Sequence, residues 1–203
     1  MTNPSPSNQN EDKAWATIQT KLSPAKLREF CLDLERLYRI NPYLEFHTWR
    51  KTASGQIHTE YRNLSNDQEF SLDLTLVEES ENMFSVQYAQ GVKAATRFEI
   101  QTSEHGSSLT ITDDYNRFSD EERNQRLAEV DKSLPAWSQA IFDYLRRHQR
   151  WGWILPWRWY MRWLWVPMKP SARRIAWMLY LITVVEFFFI LFVALIWWLE
   201  HRN

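Results

Sequence analysis

The groups in this sequence that could do chemistry are a few carboxylates, five histidines and one thiol. Histidines 47, 58, 105, 148 and 201 are scattered, without the spacing that metal ligation needs, so no metal site is expected. Four glycines are too few for most phosphate-cradling loops, and no nucleophile elbow or zinc-protease motif occurs. Cys31 falls on the edge of the first helix opposite a clear apolar set, as a structural or incidental thiol would. Asp113 is the one candidate for catalysis. Continuing the Leu109–Ile111 alternation puts it and Tyr115 on the inward face near a strand end, where a carboxylate could orient a ligand hydroxyl or act as a base if its pKa rose. A cavity-mouth or solvated position is the plainer expectation for it. His58 and Glu60 share a strand face, expected to be the wet one. Glu186 differs from all of these, because it lies in the middle of a long apolar run. A carboxyl there is costly, and its simplest roles are to be protonated or to hydrogen-bond a neighbouring helix, with Thr183 on the same face.

The elements that must position these groups follow from hydrophobic period. Between Leu44 and Tyr115 a period of two dominates, clearest in Phe70, Leu72, Leu74 and Leu76, and repeated in Phe84-Val86-Tyr88, Phe98-Ile100 and Leu109-Ile111. Turn signals at Ala53-Ser54-Gly55, Ser65-Asn66-Asp67, Glu79-Ser80-Glu81-Asn82 and Glu104-His105-Gly106-Ser107 separate the runs. The pattern predicts an antiparallel meander of six strands with one dry face. Trp15 to Leu22 alternates weakly and is predicted as an earlier strand. Ser23-Pro24 starts a helix with Leu27, Phe30 and Leu34 as its stripe, and a second helix near Glu35 to Ile40 stops at Asn41-Pro42. Ser119 and Glu122 form a capping box, after which Leu127, Val130, Leu134, Trp137, Ile141 and Leu145 recur at helical spacing past a kink expected at Pro135. The fold class is therefore α+β.

This order (strand, two helices, six strands, long helix) resembles the helix-grip fold of the START-like (SRPBCC) superfamily, which holds polyketide cyclases, lipid-transfer domains and quinone-binding proteins. The segment Leu34-Glu35-Arg36-Leu37-Tyr38-Arg39-Ile40-Asn41-Pro42 looks like the helical elbow those proteins place between strands one and two. The resemblance covers residues 13–148. It implies a curved sheet wrapped around the long helix and a cavity for an apolar ligand. The candidate wall is Phe46, Phe70, Leu72, Leu74, Phe84, Val86, Tyr88, Phe98, Ile100, Leu109 and Ile111, closed by Trp137, Ile141 and Tyr144. Plain core packing is the competing reading for each of these.

Residues 175–199 form the apolar run, about 37 Å as a helix at ~1.5 Å per residue, enough to cross a hydrocarbon core of ~30 Å with tilt. Arg158, Arg162, Lys169, Arg173 and Arg174 precede it and residues 200–203 follow, so the positive-inside bias places the N-terminal side in the cytoplasm. A single-pass, tail-anchored protein is expected, with a bacterial inner membrane as its setting. Residues 149–174 are read as an interfacial segment: Trp151, Trp153, Trp157, Trp159, Trp163 and Trp165 suit the headgroup region, and Arg158, Arg162, Arg173 and Arg174 suit lipid phosphates. Residues 1–12 are polar, with no apolar stretch, and read as disordered. The single cysteine excludes a disulfide within the chain, and a net charge of −1 implies no general attraction to nucleic acid.

Three functions are open on the sequence. A membrane-held module could bind an apolar small molecule such as a lipid, quinone or polyketide-like compound, with no other cofactor expected. An accessory subunit could dock on a membrane-protein partner through Glu186. A cyclase or aromatase could use Asp113 or a histidine for acid–base chemistry.

Overall fold

The computed structural model describes residues 13–117 and 131–202. Contacts divide the chain into two compact units, meeting at Pro167–Met168.

In the first unit, seven strands form one antiparallel sheet: β1 (Lys13–Thr20), β2 (Leu44–Lys51), β3 (Ile57–Asn63), β4 (Gln68–Ser80), β5 (Met83–Tyr88), β6 (Ala95–Ser103) and β7 (Gly106–Asp114). Their order across the sheet is β1-β7-β6-β5-β4-β3-β2. From β2 to β7 each strand pairs with the next in sequence, as the alternation predicts. The first strand lies beside the last, with Ile18 opposite Leu109. The β6–β7 turn needs Gly106 at φ +143°, since a Cβ there would stand 2.2 Å from the carbonyl oxygen of Thr20.

Two helices, α1 (Pro24–Leu32) and α2 (Leu34–Arg39), connect β1 to β2. Asp33 separates them and caps α2, its carboxyl accepting from the Arg36 N–H at 3.3 Å. Asn41-Pro42 ends the pair as expected. The buried residues of this connection include Leu27, Phe30, Cys31 and Leu34, an i, i+3, i+4, i+7 stripe. Cys31 is therefore part of the apolar set rather than opposite it, and burial, partly offset by Arg36, pushes its thiol up to about 12.

The long helix α3 spans Leu134–Trp151. Pro135 sits in its first turn, where no intrahelical N–H is lost, so this proline opens the helix instead of kinking it. The expected capping box at Ser119 and the stripe residues Leu127 and Val130 lie outside the described residues, as do residues 1–12. Along α3 the buried side chains Trp137, Ile141, Tyr144 and Leu145 face the concave side of the sheet.

After α3 the chain turns at Gly152 into a short helix α4 (Leu155–Trp159), continued by a π-helical turn over Tyr160–Trp165 that closes with Val166 N–H on the Met161 carbonyl at 3.0 Å. Met161 and Val166 are buried in the domain core, and Trp157, Tyr160 and Trp165 pack against it. The segment expected to be wholly interfacial is thus partly structural, and α3 runs past the boundary expected at residue 148.

The second unit is one helix, α5 (Pro170–His201), with a proline in its first turn. By length and composition it is long and apolar enough to cross a membrane. Arg173 and Arg174 lie on its first turns, and Thr183 and Glu186, three apart, share one face.

Candidate functional site

A cluster of buried polar side chains in the first unit forms where β3, β5, β6 and β7 meet the segment before α3. The loop between β5 and β6 delivers the central one. Gly91 takes φ +89°, the Tyr88 N–H bonds the Ala94 carbonyl at 3.0 Å, and the Ala94 N–H bonds the Asp114 carbonyl at 2.8 Å. Arg117 donates to the carbonyls of Gly91 and Tyr88 and holds the loop from outside. Val92 is buried, and Lys93 turns inward.

Lys93 Nζ lies 2.8 Å from Asp113 Oδ2 and 3.0 Å from Asp131 Oδ2, and the side chains of Lys93, Asp113 and Asp131 are 13%, 0% and 15% exposed. Asp113 is thus inward, as the alternation expects, but sealed rather than at a mouth. Its Oδ2 has the ammonium as an ionic contact without a well-directed hydrogen bond. Its Oδ1 accepts from Thr96 Oγ1 at 2.6 Å. Tyr88 OH is 3.0 Å from that Thr96 hydroxyl, and Tyr38 OH is 2.7 Å from Tyr88 OH. Thr96 spends its single proton on Asp113, so Tyr88 donates to Thr96 and Tyr38 donates to Tyr88. Asp131 Oδ1 accepts from Asn63 Nδ2 at 3.0 Å and from the Ser133 N–H at 2.9 Å, and Ser133 in turn holds the buried Asn41 at 2.8 Å.

Burial alone would pull the Lys93 ammonium down, but Asp113 and Asp131 outweigh it and hold the group well above its ordinary value. Burial would raise the Asp131 carboxyl; Lys93 and the hydrogen bonds from Ser133 and Asn63 reverse that and hold it well below the usual carboxylate range. Burial pushes the phenols of Tyr61, Tyr88 and Tyr115 up, so they remain protonated donors. Lys93 is therefore a fixed cation, unsuited to act as a nucleophilic amine.

Beside Lys93 lies a cavity of ≈ 30 Å³ lined by Tyr61, Asn63, Phe70, Leu72, Tyr88, Gln90, Gly91, Val92, Tyr115 and Asp131. That is room for about one water-sized body. Of the candidate wall, Phe70, Leu72 and Tyr88 border it. The remainder are brought together as packed core: Phe84 stacks on Phe98 at 4.9 Å between ring centres, Phe98 meets Trp137 edge-on at 6.0 Å, and Trp137 lies 5.0 Å from Tyr38. Leu74, Val86, Ile100, Leu109, Ile111 and Ile141 are fully buried around them, with Phe46 and Tyr144 at the margins. A larger open groove of ≈ 850 Å³ lies between α3 and the end of β1 with the β6–β7 turn, lined by residues including Lys21, His105, Phe142, Arg146 and Arg150, and touches none of the candidate wall.

The strand alternation points to Asp113 and Tyr115 but not to their partners. Thr96 is legible, because it continues the inward series of Phe98 and Ile100. Lys93 and Asp131 lie in connections without periodicity, and nothing local marks them. His58 pairs with Asp73 at 2.8 Å and approaches Glu60 at 3.7 Å, all partly exposed. Among the described residues no three His, Cys, Asp or Glu side chains stand together as a metal site.

A seven-stranded antiparallel sheet curved about a long C-terminal helix, with a two-helix elbow after the first strand, is a helix-grip fold. No family profile matches the chain, and no curated protein does. Among solved structures, a START superfamily protein from Mycobacterium smegmatis is similar at a TM-score of 0.49 and 15% identity, over 66% of this chain and 97% of that one. A protein from Rhodobacter sphaeroides gives 0.48 and 11% over 68% and 95%, and one from Nitrosomonas europaea 0.46 and 10% over 70% and 98%.

Proposed function

We propose that this chain is a membrane-tethered binding domain that fixes the polar end of an apolar ligand, such as a lipid, quinone or polyketide-like molecule, at Lys93. The observation that carries this reading is the cavity ringed by Tyr61, Phe70, Tyr88 and Tyr115, with the Lys93 ammonium beside it. A buried ion cluster is costly and folding does not require one, since apolar residues of similar volume serve as well or better. Placed polar groups in a pocket orient a ligand. An ammonium has three N–H donors, and among the described residues Asp113 and Asp131 are its two ionic partners, which suits a ligand carbonyl or hydroxyl as the third acceptor. The space admits only the polar end as it stands. The ligand's body enters by displacement of Phe70 and the loop of residues 89–94.

The helix α5 is the tether, and the cations at Lys169, Arg173 and Arg174 favour a cytoplasmic domain. Holding the pocket beside the bilayer raises the effective concentration of a lipid-soluble ligand. The test is mass spectrometry of molecules co-purifying with the full-length protein. A near-stoichiometric apolar compound is expected, and its loss in Phe70→Trp, which fills the cavity. An empty protein that also takes up no added quinone or phospholipid sinks the reading.

A second reading, an accessory subunit of a membrane complex, is favoured by the packing of Trp137, Phe98 and Tyr38, which occupy the space a large ligand would need. Under it, Thr183 and Glu186 dock α5 on a partner helix, and Glu186→Leu abolishes co-purification of that partner.

A further inference from the structure

We propose that residues 153–164 form a wedge that seats the folded domain on an anionic phospholipid leaflet, through contacts separate from those of α5. This rests on the tether reading and deepens it. Residues Leu155, Trp159 and Trp163 follow one another at intervals of four, as do Trp157, Met161 and Trp165, offset from the first set by two positions. At about 100° per residue in α4, and somewhat less through the π-helical turn, an offset of two positions puts the two rows on opposite sides of the segment.

The two rows have different surroundings. Met161 is buried, and Trp157 and Trp165 pack on the domain, Trp165 with its ring centre 6.1 Å from that of Tyr144 and 5.4 Å from the Arg147 guanidinium. On the other side, Leu155, Trp159 and Trp163 are 72%, 62% and 66% exposed, with Trp153 at 78% beside them. A segment already held by one apolar row has no structural use for a second. Contiguous exposed indoles of this kind mark an interaction surface. Arg158 and Arg162, both exposed, flank the row. Indoles with adjacent guanidiniums fit the headgroup zone of an anionic leaflet, where ring, N–H and phosphate are each matched.

The test places single nitroxides in the full-length protein, in a Cys31→Ala background, reconstituted in phosphatidylglycerol–phosphatidylcholine vesicles. Labels go on Trp159→Cys and Trp163→Cys, with Gln87→Cys on the outer sheet face and Phe188→Cys within α5 as references. Trp159 and Trp163 are exposed, so their replacement leaves the core intact. The expected result is several-fold lower collision with a water-soluble nickel chelate at 159 and 163 than at 87, and a reduced effect in pure phosphatidylcholine. Nickel access at 159 and 163 equal to that at 87 overturns the proposal, whatever the label at 188 reports. Exposure at 188 with protection at 159 and 163 upholds the wedge and removes the tether. Protection that persists in detergent micelles with dipolar broadening identifies a second copy as the occupant, and also overturns it.

Discussion

Trp137 Nε1 donates a hydrogen bond to the main-chain carbonyl of Leu37 at 2.9 Å, tying α3 to α2 inside the domain. The indole thereby satisfies an acceptor in the last turn of a short helix while its ring fills the space between sheet and helix.

Replacing Trp137 by Phe removes both the bond and part of that volume. The Leu37 carbonyl loses its indole donor in a buried setting, which costs about 1–3 kcal/mol, and the residual cavity adds to it. Urea denaturation of the detergent-solubilised protein measures the change. A midpoint equal to wild type would show that α3 is not anchored through this contact.

Lys93→Met leaves Asp113 and Asp131 buried without their counter-charge. Breaking such a cluster on one side is expected to cost about 3–5 kcal/mol. The same denaturation experiment reports it, and Lys93→Met with Asp113→Asn and Asp131→Asn together recovers much of the loss. Failure of the triple variant to recover would mean that Lys93 acts through packing alone.

The two perturbed groups predict stability that falls at both ends of the pH scale. Asp131 is depressed in the folded state, so its contribution is complete above the ordinary carboxylate value of about 3.9 and drains as pH drops towards the folded one. Lys93 is raised, so its contribution is complete below about 10.4 and drains as pH rises further. Unfolding midpoints of wild type and Asp131→Asn should differ at neutral pH and converge in acid. A gap that stays constant down to pH values below the ordinary carboxylate range contradicts the assignment.

Cys31, buried and pushed up to about 12, is expected to resist maleimide at mildly alkaline pH and to react once the protein is unfolded in urea. Prompt labelling of the native protein would place the thiol at the surface.

Most of the architecture is legible in the residues, because one face of the sheet is wet. Phe70, Leu72, Leu74 and Leu76 can alternate only on a strand that separates solvent from core, and the turn residues mark where each strand stops. The places where expectation and structure part have local causes. Pro135 fits a helix start as readily as a kink, and only the chain before it distinguishes them. Cys31 completes a stripe with Leu27, Phe30 and Leu34 once a thiol is counted as apolar. The rows Leu155-Trp159-Trp163 and Trp157-Met161-Trp165 are both plain in sequence, yet which row meets the domain depends on Tyr144 and the end of α3. The Lys93 site is the least legible, because its charges come from three separated segments and show no period.

The pairing of β1 with β7 has a consequence for how the molecule is made. A ribosome releases β1 long before its neighbour exists, so the earliest strand has no partner until the whole meander has been synthesised. Both its edges are then open to foreign strands, a hazard that grows with the sequence distance a contact must span. The sheet is completed by the element that began it, and the nascent chain must keep that strand out of trouble until β7 arrives.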